Sequence, residues 1–334
     1  HFEKNNQLWL DDFAEFMAIK EHFGNQALQK WDDKKAVARD PSALEKYRTM
    51  LAEQIQYFKV TQYFFFKQWT ELKNYANQKG IQIIGDMPIY VAADSVEVWT
   101  KPELFQLDEE RNPLFVAGVP ADQFSATGQL WGNPLYAWEE HKKQGYAWWI
   151  HRIEESFKIY DVLRIDHFKG FSDYWQVDGK AEVAKDGSWQ PGPGYDLFKA
   201  VKEQLGDLPI IAEDLGNIDD KARKLLTDCN YPGMKILQFG FEDVSGESLD
   251  SPHYCIPHSI VYTGTHDNDV TNGWYNSLTE QQQQYINDYT HRHEDESICQ
   301  AMIRQLFATV SNTAIATMQD VLDLPASSRM NVPS

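Results

Sequence analysis

The stretch Asp161-Val162-Leu163-Arg164-Ile165-Asp166-His167 decides the fold. A short run of mostly branched apolar residues ends in ionisable ones, as expected of a strand buried on both faces that delivers charge at its C-terminal end. The design recurs at residues 81–86 (IQIIGD), 209–214 (PIIAED), 234–239 (MKILQF), 260–267 (IVYTGTHD) and 313–320 (TAIATMQD). Helical segments separate most of these runs. Ile150, Ile153, Phe157 and Tyr160 form one apolar stripe; Leu197, Val201 and Leu205 form another, closed by Gly206. Residues 219–228 read as a short helix, and Thr279 with Gln282 caps one more. Alternating strands and helices predict an α/β fold whose parallel sheet is covered on both faces. Polar residues gathered at strand C-termini are what a (β/α)₈ TIM-type barrel needs to build an active site. An open doubly wound sheet is the alternative, but no Gly-rich phosphate loop follows any strand.

Six parallel strands are legible, two short of a complete barrel. Outward from them, the N-terminal part is helical. Residues 8–22 form an amphipathic helix that stops near Gly24. Asp40-Pro41-Ser42 opens another, with Ser42 and Glu45 spaced as a capping box. A third spans 60–79, with Phe65, Trp69, Leu72 and Ala76 on one face and Gly80 as its C-cap. The expected organisation is a helical subdomain at 1–58 and an incomplete catalytic barrel at 59–93 and 139–334. Residues 94–138, which hold Pro102, Pro113, Pro120 and Pro134, form a loop-rich excursion over the barrel's C-terminal face.

Composition narrows the partners. The 334 residues carry a net charge of −19, which repels nucleic acid and anionic membrane surfaces. No apolar run approaches the ~20 residues of a membrane span. Cys229, Cys255 and Cys299 lie far apart, which argues against a disulfide framework and a Cys-based zinc site. A reducing, cytoplasmic location is expected. The 11 Trp, 16 Tyr and 18 Phe often neighbour Gly, Asn and Asp, a mixture suited to the flat apolar faces and hydroxyl edges of sugar rings.

Three carboxylates carry the chemistry: Asp166, Glu213 and Asp267, each after its own strand. Convergent carboxylates suit glycosidic bond cleavage. One attacks the anomeric carbon, and one protonates the leaving oxygen and then deprotonates the acceptor; retention needs these two ~5–5.5 Å apart. Arg164, two residues before Asp166, faces the same side of the strand and is expected to keep the nucleophile ionised; a purely structural ion pair is the competing reading. Glu213 needs the opposite tuning to act as an acid. A metal-assisted hydrolase using His167, His266, Asp267 and Asp269 is the second chemistry weighed, but the spacing matches no zinc or EF-hand pattern. No metal and no cofactor is expected.

Five stretches together carry a resemblance. They are Ile84-Gly85-Asp86-Met87-Pro88-Ile89-Tyr90-Val91, Trp131-Gly132-Asn133-Pro134-Leu135-Tyr136, Arg164-Ile165-Asp166-His167-Phe168-Lys169-Gly170-Phe171, Ala212-Glu213-Asp214-Leu215-Gly216 and Tyr262-Thr263-Gly264-Thr265-His266-Asp267-Asn268. In this order they resemble the motif set of the 4-α-glucanotransferases (amylomaltases, or disproportionating enzymes), retaining barrel enzymes of the α-amylase superfamily. The resemblance runs from the start of the chain to Arg329-Met330-Asn331. It implies Asp166 as nucleophile, Glu213 as acid/base and Asp267 as transition-state stabiliser, with Arg164 steadying the nucleophile. His167 and His266 would hold sugar hydroxyls. Asp122 would lie on the active-site loop with Trp131 and Asn133, and Phe239 and Asp243 near the acceptor.

Each of these binding residues has a plainer competitor. Trp131 could fasten the excursion to the barrel, Asn133 could form a turn before Pro134, Asp122 could cap a turn, and Phe239 could be core at a strand end. Against the resemblance, the first two barrel strands and the final helix are missing, so a fragment, a proteolysed product or a chain completed by another piece of the same protein is expected. The implied activity is transfer of α-1,4-glucan segments between maltooligosaccharides. An α-glucan hydrolase and a non-catalytic carbohydrate-binding fragment stand as alternatives.

Overall fold

The computed structural model describes residues 1–121, 126–216 and 218–332. The chain divides into two compact units, His1–Pro209 with Asp220–Cys229, and Ile210–Asp219 with Asn230–Ser334.

The first unit begins with α1 (Phe2–His22), α2 (Lys34–Val37), α3 (Pro41–Met50) and α4 (Ala52–Gln78). Leu10, Ala14 and Ala18 of α1 recur every four residues and are all buried, the stripe expected of a helix with one face in a core. Phe16 meets Trp31 and Trp99 at ring-centroid distances of 5.6 Å each, and the Trp99 indole N–H donates to the Ala36 carbonyl at 2.9 Å. The cap of α3 corrects the sequence reading. Asp40, not Ser42, is the N-cap; its carboxylate accepts the amides of Ser42 and Ala43 at 2.9 and 3.2 Å. Pro41 lacks an N–H and suits the first helical position, which moves the cap to the residue before it. Helix α4 starts well before residue 60, and its expected apolar face is not buried: Phe65 and Leu72 are exposed, and Trp69 and Ala76 are half-buried. It is tied down through Trp69, whose indole donates to the Ile159 carbonyl at 2.8 Å, and through Lys73, which donates to the Tyr160 carbonyl at 2.8 Å.

β1 (Ile84–Met87) pairs in parallel with β4 (Val162–Ile165). Gly85 is required there, since a Cβ would fall 2.0 Å from the Tyr160 ring. Between these strands come α5 (Val96–Thr100), β2 (Phe115–Val119), β3 (Gln129–Pro134), α6 (Trp138–Lys143) and α7 (Ala147–Ile159). After β4 follow β5 (Asp173–Asp178), β6 (Ser188–Pro191), α8 (Tyr195–Leu205) and α9 (Asp220–Cys229). β2, β3, β5 and β6 form an antiparallel sheet in the order β3-β2-β5-β6. Segment 94–138 is therefore not loop alone; its two strands are joined by 173–178 and 188–191.

The second unit holds β7 (Ile210–Ala212) and the parallel sheet of β8 (Gly233–Ile236), β9 (Ser259–Tyr262) and β10 (Thr313–Ile315), with β9 central. Around it lie α10 (Leu237–Glu242), α11 (Thr271–Ser277), α12 (Glu280–Thr290), α13 (Ile298–Phe307) and α14 (Met318–Val321). The expected strand 234–239 turns helical after Ile236. Leu237 and Phe241, four apart and fully buried, place one helical face into the cluster of Val261, Trp274, Ile286, Met302 and Leu306. The capping box of Thr279 and Gln282 is formed as read. Among the described residues no helix is long and apolar enough to cross a membrane.

Candidate active site

Asp166 stands directly after β4, and Arg164 points to the same side. One guanidinium nitrogen of Arg164 donates to Asp166 Oδ1 at 2.9 Å and reaches Asp86 Oδ1 and Oδ2 at 2.6 and 2.7 Å. Asp86 and Arg164 are direct partners in the β1–β4 register. Sequence reasoning saw Asp86 only as a polar strand end; its place in the recurring strand pattern was the available signal. The Arg164 side chain is 9% exposed and that of Asp86 38%. A largely buried cation thus bridges two carboxylates and fixes the direction in which Asp166 presents its remaining oxygen.

His167 follows with φ of +49°. Its imidazole meets the Trp131 ring edge-on, with centroids 4.8 Å apart. Burial, reinforced by the charge of Lys169 and opposed by Asp166, pushes its pKa down to about 4. The ring is then neutral near pH 7, with one nitrogen to donate and one to accept. Trp131 is 37% exposed, so it is not a core residue. Asn133 lies on β3 rather than in a turn, and its amide donates to the Val91 carbonyl at 2.9 Å. Tyr136 and Arg152 hold the same segment through the carbonyls of Ile89 and Pro88, at 2.7 and 2.6 Å. Asp122 lies outside the described residues.

In the second unit Glu213 follows β7, and its Oε1 accepts the Leu215 amide at 2.8 Å. Its neighbour Asp214 accepts the Met234 amide at 2.7 Å. Gly233 packs so closely that a Cβ would lie 2.4 Å from that carboxyl. Burial raises the Asp214 pKa. Asp267 and His266 project from the loop after β9, exposed and 3.3 Å apart. Phe239 is half-buried on α10, a helix rather than the strand end expected of it. Asp243 caps the end of α10, where it accepts the Ser245 amide and hydroxyl at 2.9 and 2.6 Å. The Ser245 bonds lower its pKa. Acidic and His side chains close enough to share an ion occur, among the described residues, at His151, Glu154 and Glu155 on α7. None of His167, His266, Asp267 or Asp269 belongs to that group.

A family model described as 4-alpha-glucanotransferase matches residues 1–334. The chain belongs to this family. The 4-alpha-glucanotransferase of Streptococcus pneumoniae serotype 4 (strain ATCC BAA-334 / TIGR4) is 54% identical over the whole chain, which spans 66% of that relative's length. The 4-alpha-glucanotransferase of Clostridium butyricum is 43% identical, again over the whole chain and 68% of the relative. Among solved structures, amylomaltase from Streptococcus agalactiae in complex with acarbose superposes with a TM-score of 0.97 at 60% identity, covering 98% of this chain and 66% of that one. The fold is thus the α/β fold of amylomaltase. The chain spans about two thirds of the length of the relatives it matches.

Proposed function

We propose that the polypeptide carrying this sequence transfers α-1,4-glucan segments between maltooligosaccharides with retention of configuration. The observation that carries the reading is the bridge Asp86–Arg164–Asp166, which holds a strand-end carboxylate in one orientation inside a 4-alpha-glucanotransferase motif. A carboxylate oxygen of Asp166 forms a bond to the anomeric carbon as the glycosidic C–O bond breaks. Glu213 gives its proton to the departing oxygen. A sugar 4-hydroxyl then attacks the same carbon, Glu213 takes its proton, and the glucosyl ester of Asp166 is released as carboxylate. Asp267 stabilises the positive charge that develops on the ring. Neutral His167, together with His266, hydrogen-bonds ring hydroxyls, and the exposed face of Trp131 covers an apolar sugar face.

Three further readings belong to this proposal. The six parallel strands belong to an incomplete (β/α)₈-type barrel. A complementary piece of the same polypeptide covers the exposed aromatic face of α4; the aromatic side chains left bare there and the unspanned third of the relatives' length support this. The working location is the cytoplasm, in line with cysteines that are all free.

Two substitutions test the roles. Asp166→Asn should abolish transfer and accumulate no covalent intermediate. Glu213→Gln should lose most on substrates with poor leaving groups. Wild-type rates for Glu213→Gln on maltooligosaccharides would remove Glu213 from the acid/base role.

A further inference from the structure

Asp320 takes no part in the chemistry above, yet its side chain is ionisable and only 2% of the residue is exposed. Burying a carboxylate is costly unless its lone pairs are used. Asp320 uses both oxygens: Oδ2 accepts the Thr263 hydroxyl at 2.6 Å, and Oδ1 accepts the Thr271 amide at 2.8 Å. Thr263 and Thr271 are themselves fully buried. Thr263 is the first residue after β9, and Thr271 is the first residue of α11. Everything between them is the loop that carries His266 and Asp267. One carboxylate therefore pins both ends of that loop.

Other contacts fix its course between the pins. The Gln238 side-chain amide donates to the Asp269 carbonyl at 2.8 Å. Asn268 folds back to accept the Thr265 amide and hydroxyl at 2.8 and 2.9 Å. Asn331 donates to the His266 carbonyl at 2.8 Å. Asn272, one residue into α11, donates to Asp323 at 3.0 Å, close to Asp320 in the chain. The backbone is held while the side chains of His266 and Asp267 remain exposed.

We propose that Asp320 is a positioning residue that sets, through Thr263 and Thr271, where the Asp267 carboxylate stands. The inference rests on the reading of Asp267 as the transition-state stabiliser. A displacement of ~1 Å at such a group costs ~10²-fold in rate, so loosening one pin is felt in kcat before it is felt in substrate binding.

The test uses Thr263→Val, which keeps the shape and removes the hydroxyl, and Thr263→Ser, which restores it, with Asp267→Asn alongside. Measured are kcat and KM for maltotriose disproportionation and hydrogen exchange of the amides of 264–270. Thr263→Val should lower kcat by about 10- to 100-fold with much less change in KM, and the loop amides should exchange faster. Thr263→Ser should recover kcat to within about threefold of wild type. Wild-type kcat and exchange in Thr263→Val, with Asp267→Asn inactive, would overturn the positioning role alone. Loss in Thr263→Val that Thr263→Ser does not restore would also overturn it, as a general packing defect. Full activity in Asp267→Asn would instead overturn the reading of Asp267, and the exchange data would still decide whether the hydroxyl anchors the loop. Should Thr263→Val fail to fold, Asp320→Asn replaces the charged acceptor without changing shape; it should lower kcat in the same direction, and wild-type kcat there would overturn the proposal.

Discussion

Replacing Asp86 by Ala removes the two carboxylate oxygens that lie 2.6 and 2.7 Å from one Arg164 guanidinium nitrogen, while Asp166 stays within 2.9 Å of the same nitrogen. Hydrogen bonds to charged groups contribute about 1.5–3 kcal/mol. Asp86 is 38% exposed, so solvent screens part of its attraction and the lower end applies. Arg164 is 9% exposed and cannot make up the loss with water as easily. The expected loss of stability is about 2 kcal/mol, roughly 30-fold in the unfolding equilibrium. A second effect falls on the reaction. A cation released from Asp86 moves with Asp166, and a shift of ~1 Å at the proposed nucleophile is expected to cost ~10²-fold in kcat. Asp86→Asn keeps one acceptor oxygen and should lie between wild type and Asp86→Ala on both scales. Urea denaturation gives the first quantity, and initial rates on maltotriose give the second. If Asp86→Ala unfolds within about 0.5 kcal/mol of wild type and keeps its kcat, the bridge does not position Asp166.

Three further outcomes follow from the structure. His141 is buried against the Leu104 carbonyl at 3.1 Å, and burial depresses its pKa from 6.5 to about 4. The unfolded chain therefore takes up the proton first, so this contribution to stability is complete above pH 6.5 and is lost as pH falls toward 4, at up to about 1.4 kcal/mol per pH unit. His141→Phe should flatten that slope in denaturation midpoints compared at pH 7 and pH 5, and an unchanged slope contradicts the assignment. Gly85→Ala drives a Cβ to 2.0 Å from the Tyr160 ring and should cost about 1–3 kcal/mol or more in thermal unfolding. Ser297→Ala removes the N-cap of α13, where Gln300 completes a capping box, and should cost about 1 kcal/mol with no change in kcat.

Much of the fold could be read from strands that look alike. The runs ending near Asp166, Glu213 and Asp267 carry largely buried strands, because a segment buried on both faces must be nearly continuously apolar; the run ending at Asp86 also carries a strand, but one that alternates exposed and buried residues. Their exact ends were not legible. Residues 234–239 are as apolar as their neighbours, and only the spacing of Leu237 and Phe241 showed that the tail turns helical. The antiparallel sheet gave no signal, since β3 (QLWGNP) and β6 (SWQP) are mostly exposed and lack alternation, and β5 pairs with a strand far away in sequence. The stripe read on α4 is not buried, because sequence periodicity does not say whether a partner covers it. In the site, Arg164 beside Asp166 followed from two-residue spacing along one strand. Asp86 did not, because it reaches Arg164 across the sheet rather than along the chain. Asp320 was legible only as the polar end of residues 313–320, and not as an anchor, for the same reason: its partners, Thr263 and Thr271, lie on other elements.

Disproportionation through Asp166 is read straight from the products formed from maltotriose. The polypeptide carrying this sequence is incubated with maltotriose alone, and the products are resolved by chain length beside an Asp166→Asn control. Glucose together with maltopentaose and longer chains is the expected product set, all absent in Asp166→Asn. Glucose and maltose without longer chains, or longer chains that persist in Asp166→Asn, would contradict it.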